Sequence, residues 1–504
     1  MPTEPLSFLE ATIDGVHARM REGALTCEQL VDWYLDRIKR YDGRGPSLHA
    51  IVNVNPQALA QARELDQHLK RTTKFKGPLH GVPVLVKDQA ETSFALTTFG
   101  TRAYAGYQPK RDAFIVRKLI DAGAVILAKT SMCDFAAGWF SFSSVTERTR
   151  NPYAPERDAG GSSAGTGAGL AANFGLVGIG EDTGGSIRIP ASFNNVFGLR
   201  VTTGLISRNG FSPLVHFQDT PGPMARTVRD LAKLLDTLVG YDAQDPFTAA
   251  AVLARDAGAY EAALANTGLD GIRVGLLKQG FDGQDETSPD VNGVVRALVK
   301  RLGDAGVQFV DVDVPDMQDW IVRTSLYIQQ SKFDLDRFMA NREGIARHTF
   351  EEIYANKWFH PLNDLFHNVH EGPSDPTSVP EYYAQRLAQQ EFQRVLLNTF
   401  AANRLDFLMY PDVKVLPPKY SDLEAQKWTC LTFPTNTVIA SQSHLPALSM
   451  PAGFAGPLPV GVELVGLPYA EASLLQFAHA CEQLTQFRVA PSLEANPTAK
   501  RTAP

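Results

Sequence analysis

The chain has 504 residues, 44% hydrophobic, 20% charged and 9% aromatic, a profile that fits a globular protein and excludes disordered and fibrous classes. Its formal net charge is −7 and it contains no lysine/arginine run. Both features argue against a nucleic-acid or anionic-membrane surface as the main partner, since such surfaces call for a basic face.

The N-terminus, Met1-Pro-Thr-Glu-Pro-Leu-Ser-Phe8, lacks the basic start and apolar core of a secretory signal. No stretch of about 18 apolar residues is available to cross a membrane. The four cysteines, Cys27, Cys133, Cys430 and Cys481, form no Cys-x-x-Cys pair, so reduced thiols in a cytoplasmic protein are expected. Length alone allows two to four domains, although large α/β enzymes also fold as one unit.

Residues 1–75 read as helical. Thr26-Cys-Glu-Gln29 has the form of a capping box, and Leu30, Val31, Tyr34, Leu35 and Ile38 follow at helical spacing. The apolar run Val82–Val86 predicts a buried strand that ends at Lys87-Asp88. Phe114–Ala122 predicts a helix closed by Gly123 and followed by a strand over Val125–Ala128. Val177-Gly-Ile179 reads as another strand. The same helix-glycine-strand order returns at 290–314, from Val291–Leu302 through Gly306 to the alternating run Val310–Val314. Helices alternating with buried strands predict a layered α/β sheet. Residues 316–400 are helical in pattern and rich in Trp, Phe, Tyr and His, with a loop at 371–380. The chain from Glu494 onward reads as a frayed tail.

Three places carry candidate chemistry. In Gly160-Gly161-Ser162-Ser163-Ala164-Gly165 the glycines let the backbone approach a reacting group, and the small residues that follow, up to Gly175, suit a deeply packed helix. On its own this stretch also fits a plain Gly/Ser turn or an anion nest. In Asp182-Thr183-Gly184-Gly185-Ser186-Ile187-Arg188-Ile189-Pro190, two glycines allow successive N–H groups to converge, and a helix beginning at Ser186 would add its dipole to that pocket. An N-capping serine on an ordinary helix is the plainer reading. Lys87 sits at a buried strand end. Strand-end lysines are mostly solvated, but a buried one loses basicity and becomes a usable base.

Taken together, these residues resemble the amidase signature family. Gly81-Val-Pro-Val-Leu-Val-Lys87-Asp88 looks like its lysine motif, Gly160-Gly161-Ser162-Ser163 like its first serine motif, and Asp182–Pro190 like its second. Ser162 and Ser186 are 24 residues apart, the usual spacing in that family. Pro221–Arg226, Leu445-Pro446-Ala447 and Met450–Gly453 are further landmarks, and the resemblance covers roughly residues 25–315 and 400–490.

The resemblance implies one α/β/α domain around a mixed sheet spanning 1–504. Its N-terminal helices would occupy about 1–75, a catalytic core about 76–315 and 400–490, and a divergent, substrate-covering helical region about 316–400. It implies Ser186 as nucleophile, Ser162 as proton relay on a cis peptide, and Lys87 as neutral base, with the N–H groups of Thr183, Gly184, Gly185 and Ser186 as oxyanion hole. It implies no metal and no cofactor. Ala164 stands where glycine or serine is common in the family, and Ser131 where asparagine is frequent. Neither departure removes a catalytic group.

Other readings rank below this one. Gly161-Ser162-Ser163-Ala164-Gly165 also matches G-x-S-x-G, with Ser163 as nucleophile, but that elbow needs a preceding strand, which Asn151–Asp158 does not predict. No serine is followed three positions later by lysine, which excludes the S-x-x-K pattern. His360, His367, His370 and Glu371 match no zinc motif, although His367 and His370 share a helical face. Membership of a tRNA-dependent amidotransferase complex ranks below a free hydrolase, because 316–400 shows none of the sequence expected of that component. The complete Ser-Ser-Lys set disfavours a non-catalytic scaffold.

Trp139, Phe140 and Phe142 are the candidate substrate-binding residues. With Trp320, Tyr327, Phe333, Phe338, Trp358 and Phe359 they suggest an apolar or aryl-bearing substrate. The expected activity is hydrolysis of small-molecule amides, with aryl carbamates and esters as the alternative. The expected partners are that substrate, with no nucleic acid and no membrane; a homodimer is left open.

Overall fold

A computed structural model describes residues 7–266 and 268–494. Among them, the predicted alternation resolves into one mixed sheet of eleven strands. The first six are β1 (Ile51–Val54), β2 (Pro83–Lys87), β3 (Val125–Thr130), β4 (Val177–Asp182), β5 (Phe197–Arg200) and β6 (Thr220–Ala225). The rest are β7 (Arg273–Leu277), β8 (Gln308–Val312), β9 (Phe407–Pro411), β10 (Ala447–Ala455) and β11 (Leu458–Val465). Their order across the sheet is β1-β3-β2-β4-β6-β5-β10-β11-β9-β7-β8. The triplets β3-β2-β4 and β9-β7-β8 are parallel. The pairs from β4 through β6, β5, β10 and β11 to β9 are antiparallel, as is β1 with β3. This is the mixed, layered α/β fold expected from the sequence, in a single domain.

Local chemistry explains the elements around the site. The Thr26 side chain accepts from Gln29 N and the Gln29 side chain accepts from Thr26 N, which starts the helix Cys27–Tyr41. Leu30, Val31 and Ile38 bury its inner face, each worth about 1.5–3 kcal/mol. The helix Phe114–Asp121 ends with Gly123 at a φ of +90°, where the chain turns back into β3. β2 is buried along its whole length, as strands covered on both faces must be.

The small-residue stretch forms the helix Ala164–Ala171, every residue of which is buried. Its packing depends on missing side chains: a Cβ on Gly165 would fall 2.2 Å from Ala50 O. The aromatic region forms the helices Met317–Thr324, Tyr327–Ala340, Phe350–Ala355 and Leu365–Glu371, then the long helix Tyr382–Asn403. The loop at 371–380 includes a single 3-10 turn, Pro376–Ser378. Tyr327, Phe350, Phe359 and Phe366 join Phe99, Phe135, Trp139, Phe140 and Phe142 in a buried aromatic cluster separate from the main core.

Asn151–Asp158 departs from expectation. Arg150–Asn151 and Ala154–Asp158 pair as a short antiparallel ribbon outside the main sheet. Prolines at 152 and 155 conceal it from strand propensity. The tail predicted beyond Glu494, and residues 1–6 of the N-terminal segment, lie outside the described residues. Among the described residues no helix is long and apolar enough to cross a membrane.

Candidate active site

β2 and β4 are parallel neighbours, with Val86 opposite Ile179, so Lys87 and Glu181 emerge together at their carboxyl ends. Open α/β sheets place their ligand crevices at such strand ends. Lys87 is fully buried. Its Nζ lies 2.7 Å from Ser162 Oγ, 3.1 Å from Glu181 O and 3.3 Å from Glu181 Oε2. Burial pulls the Lys87 amine below the usual lysine range, outweighing the opposing Glu181 carboxylate.

Ser162 reaches Lys87 from the turn between the Ala154–Asp158 ribbon and the helix at Ala164, with a cis Gly161–Ser162 peptide. A Cβ on Gly161 would lie 2.4 Å from Phe140 O, so only glycine lets the turn pass beneath Trp139-Phe140. Ser163 points elsewhere. Its Oγ donates to Glu181 O at 3.2 Å and accepts from Glu181 N at 3.3 Å, and its N–H donates to Ser186 O at 3.0 Å. Thus a strand does precede Gly160-Gly161, yet the Ser163 hydroxyl is tied to the β4 backbone.

The loop after β4 is built around Asp182. Its Oδ1 accepts from Gly185 N and Arg188 Nη2, both at 2.9 Å, and its Oδ2 accepts from Ile187 N and Arg188 Nε, both at 3.1 Å. Arg200 Nη1 adds a contact to Oδ1 at 3.2 Å. Burial would raise this carboxyl, but the Arg188 and Arg200 guanidiniums prevail and hold it well below the usual carboxylate range. Arg188 is held in turn by Glu463 Oε1 at 2.6 Å.

Two expectations change here. The helix begins at Arg188, not at Ser186, and ends at Phe193. Asp182 takes the Gly185 and Ile187 N–H groups and holds Ser186 in the turn before it. The Gly185 N–H, expected in the oxyanion hole, is therefore occupied by Asp182. The N–H groups of Thr183, Gly184 and Ser186 have no acceptor among the described residues, and neither does Ser186 Oγ, although Ser186 is 1% exposed. Gly185 adopts a φ of +129°, and a Cβ there would strike Thr437 Oγ1 at 2.0 Å. Thr437 Oγ1 donates to Gly184 O at 2.8 Å.

Trp139 and Tyr327 close over this loop: a Cβ on Gly184 would lie 3.2 Å from Trp139 Nε1 and 2.5 Å from Tyr327 OH. Gln218 Nε2 donates to Thr183 O at 2.6 Å and to Tyr327 OH at 3.2 Å. Phe140 packs on Phe433, with centroids 5.0 Å apart, and Phe142 stacks on His360, also at 5.0 Å. Phe142 thus faces His360, while Trp139 borders the loop. His367 Nδ1 is 2.8 Å from Tyr354 OH, and His370 stacks on that ring at 3.8 Å. Among the described residues no three His, Cys, Asp or Glu side chains are grouped to hold a metal.

The sequence reading missed Glu181, Arg200 and Gln218, and it gave Asp182 and Arg188 no role beyond membership of the motif. One signal was available: two adjacent carboxylates end the apolar strand Val177–Gly180, and buried acids must find cations or donors.

An amidase family model matches residues 29–475. The glutamyl-tRNA(Gln) amidotransferase of Oleidesulfovibrio alaskensis has an A-type subunit 33% identical to this chain over 482 residues, covering 94% of this chain and 96% of that protein. Its counterpart in Chromohalobacter salexigens is 32% identical, covering 95% and 98%. The crystal structure of peptide amidase from Stenotrophomonas maltophilia is 33% identical, with a TM-score of 0.86, covering 97% of this chain and 100% of that one.

The relatives correct one expectation. A partner list without nucleic acid does not stand beside full-length relatives whose name includes tRNA. Net charge is a whole-chain sum and does not decide what one face, or an associated protein, contacts. The comparisons agree on an amidase-type enzyme acting on carbon–nitrogen bonds, and the chain belongs to the amidase signature family.

Proposed function

We propose that this chain cleaves amides through an acyl-enzyme on Ser186. The observation that carries the reading is the buried 2.7 Å contact between Lys87 Nζ and Ser162 Oγ, together with a Ser186 whose backbone oxygen accepts from Ser163 N and whose hydroxyl has no partner among the described residues. Ser186 Oγ attacks the carbonyl carbon. Its proton passes to Ser162 Oγ, whose own proton passes to Lys87 Nζ. No hydrogen bond joins the two serines in this structure, and such contacts tighten when substrate binds. The carbonyl oxygen gains negative charge and takes hydrogen bonds from the N–H groups of Thr183, Gly184 and Ser186. Ser162 then returns a proton to the leaving nitrogen, and water releases the acyl group by the reverse sequence.

The aromatic cluster around Trp139 and Tyr327 supports apolar or aryl amides as substrates, with aryl carbamates and esters as the alternative on the same three residues. A second reading, favoured by the names of the relatives, is one component of a tRNA-dependent amidotransferase. A panel of anilides, nitroanilides, carbamates and primary amides tests both. Turnover by the purified chain alone supports hydrolysis; turnover that requires tRNA and a partner protein supports the second. Under the first reading Ser186→Ala loses roughly 10⁴-fold or more, and mass spectrometry finds the acyl adduct on Ser186. An adduct on Ser163 refutes the assignment.

A further inference from the structure

The hydrogen-bond arithmetic around Lys87 leaves one proton to be placed, and placing it rests on the reading of Lys87 as base. Lys87 Nζ meets Ser162 Oγ, Glu181 O and Glu181 Oε2. An ammonium would donate to all three. A neutral amine has two N–H bonds and one lone pair. With both N–H bonds directed at Glu181 O and Oε2, the lone pair faces the Ser162 hydroxyl, the arrangement a base needs.

The other carboxyl oxygen, Glu181 Oε1, lies 3.0 Å from Thr183 Oγ1, which itself lies 2.6 Å from Asp219 Oδ1. One hydroxyl proton meets two carboxyl oxygens. For both contacts to be hydrogen bonds, one of the two acids must carry a proton. Asp219 accepts backbone N–H bonds from Leu214 on Oδ2 at 2.9 Å and from Val215 on Oδ1 at 3.0 Å, so both of its oxygens already act as acceptors. The Glu181 carboxyl accepts no backbone N–H among the described residues and is 1% exposed.

We propose that Glu181 is a positioning residue that keeps a proton on Oε1, donated through Thr183 Oγ1 toward Asp219, and thereby holds Lys87 neutral with its lone pair toward Ser162. The transfer balances internally: an N–H bond of the ammonium breaks, an O–H bond forms on the carboxylate, and the ion pair becomes a neutral pair. In acylation Lys87 gains the Ser162 proton and loses it again as the leaving nitrogen is protonated.

The electrostatics agree. Burial pushes the Glu181 carboxyl up to about 7 against the pull of Lys87, and Asp219 and Asp182 add to the rise. Besides these, the titratable group facing Lys87 is Cys133, whose buried thiol stays protonated.

Glu181→Gln tests the proposal, because its carbonyl accepts from Lys87 and its NH₂ donates to Thr183, as the protonated acid does. The expected kcat/KM stays within roughly threefold of wild type, with the acid limb unmoved. If Glu181 were the ionised partner, removing its charge would lower the limb by about one pH unit or more. Either that shift or a loss above roughly tenfold in folded protein overturns the proposal. Glu181→Leu, which offers neither group, is expected to lose roughly tenfold or more; wild-type rates would overturn it.

Infrared difference spectra of wild type against Glu181→Gln at about pH 6 give a readout free of turnover. A carboxylic-acid carbonyl band supports the proposal and carboxylate bands overturn it. If Glu181→Gln does not fold, the same band is followed in isotope-labelled wild type as pH rises. Full activity in Ser186→Ala would refute the catalytic reading while leaving the infrared result to decide where this proton sits.

Discussion

Ser162 and Ser163 are chemically identical neighbours, and replacing each by alanine separates relay from scaffold. Ser162→Ala removes the Oγ that Lys87 Nζ meets at 2.7 Å. The lysine keeps both Glu181 contacts, so stability changes little, while the path from Ser186 to Lys87 is cut. General-base catalysis contributes about 10²–10⁴-fold, and that is the expected loss in kcat. Ser163→Ala does the opposite. It leaves the buried Glu181 N–H without the acceptor it has at 3.3 Å and removes the bond to Glu181 O at 3.2 Å. An unsatisfied buried donor costs about 1–3 kcal/mol, so Ser163→Ala is expected to melt earlier yet keep most of its kcat. Steady-state hydrolysis of a nitroanilide and thermal melts of both variants give the comparison. If Ser163→Ala loses activity while Ser162→Ala keeps it, the relay is misassigned.

Under the proposed mechanism Lys87 acts deprotonated, and burial lowers its basicity, so kcat/KM is expected to fall as pH drops through that lowered value; Lys87→Ala and Lys87→Arg are both expected to lose most activity, and a Lys87→Arg enzyme with the wild-type pH profile would refute the base assignment. Asp182→Asn removes the buried carboxylate that Arg188 and Arg200 share, leaving Arg188 paired with Glu463 alone and Arg200 with no carboxylate partner among the described residues, and is expected to cost about 3–5 kcal/mol. Because the folded Asp182 carboxyl is held below its unfolded value of about 3.9, its stabilisation is present above that pH and fades as pH falls further; melts of wild type and variant are expected to converge in acid, and a gap that stays constant would refute the ion-pair account. Chelators are expected to leave activity unchanged, since no step of the proposed mechanism uses a metal; loss in EDTA with recovery on added zinc would contradict this.

Much of the molecule was legible from residue order. The capping box at Thr26, the apolar run into Lys87, and Gly123 before β3 are decided by contacts a few residues apart, and period and propensity record such contacts. The small-residue stretch after Ser163 announced a buried helix because nothing in it could face water or fill space. Motif spacing likewise singled out Lys87, Ser162 and Ser186. What residue order could not decide was how groups distant in the chain divide their hydrogen bonds. Asp182 was expected only as a motif residue. Its role follows from Arg200, which arrives on β5, and from Glu463 on β11, which fixes Arg188. The Asp182 carboxylate also takes the nearby Gly185 and Ile187 N–H groups ahead of a helix that begins at Arg188, but it is the distant Arg200 that completes its buried setting. Ser163 Oγ is tied to a strand 18 residues away, a pairing that residue order does not display. The proton placed on Glu181 depends on Thr183 and Asp219 meeting in three dimensions. Local sequence determines which conformations are cheap, whereas the sharing of buried charges and protons is decided only when packing removes water and leaves each polar group to find a partner.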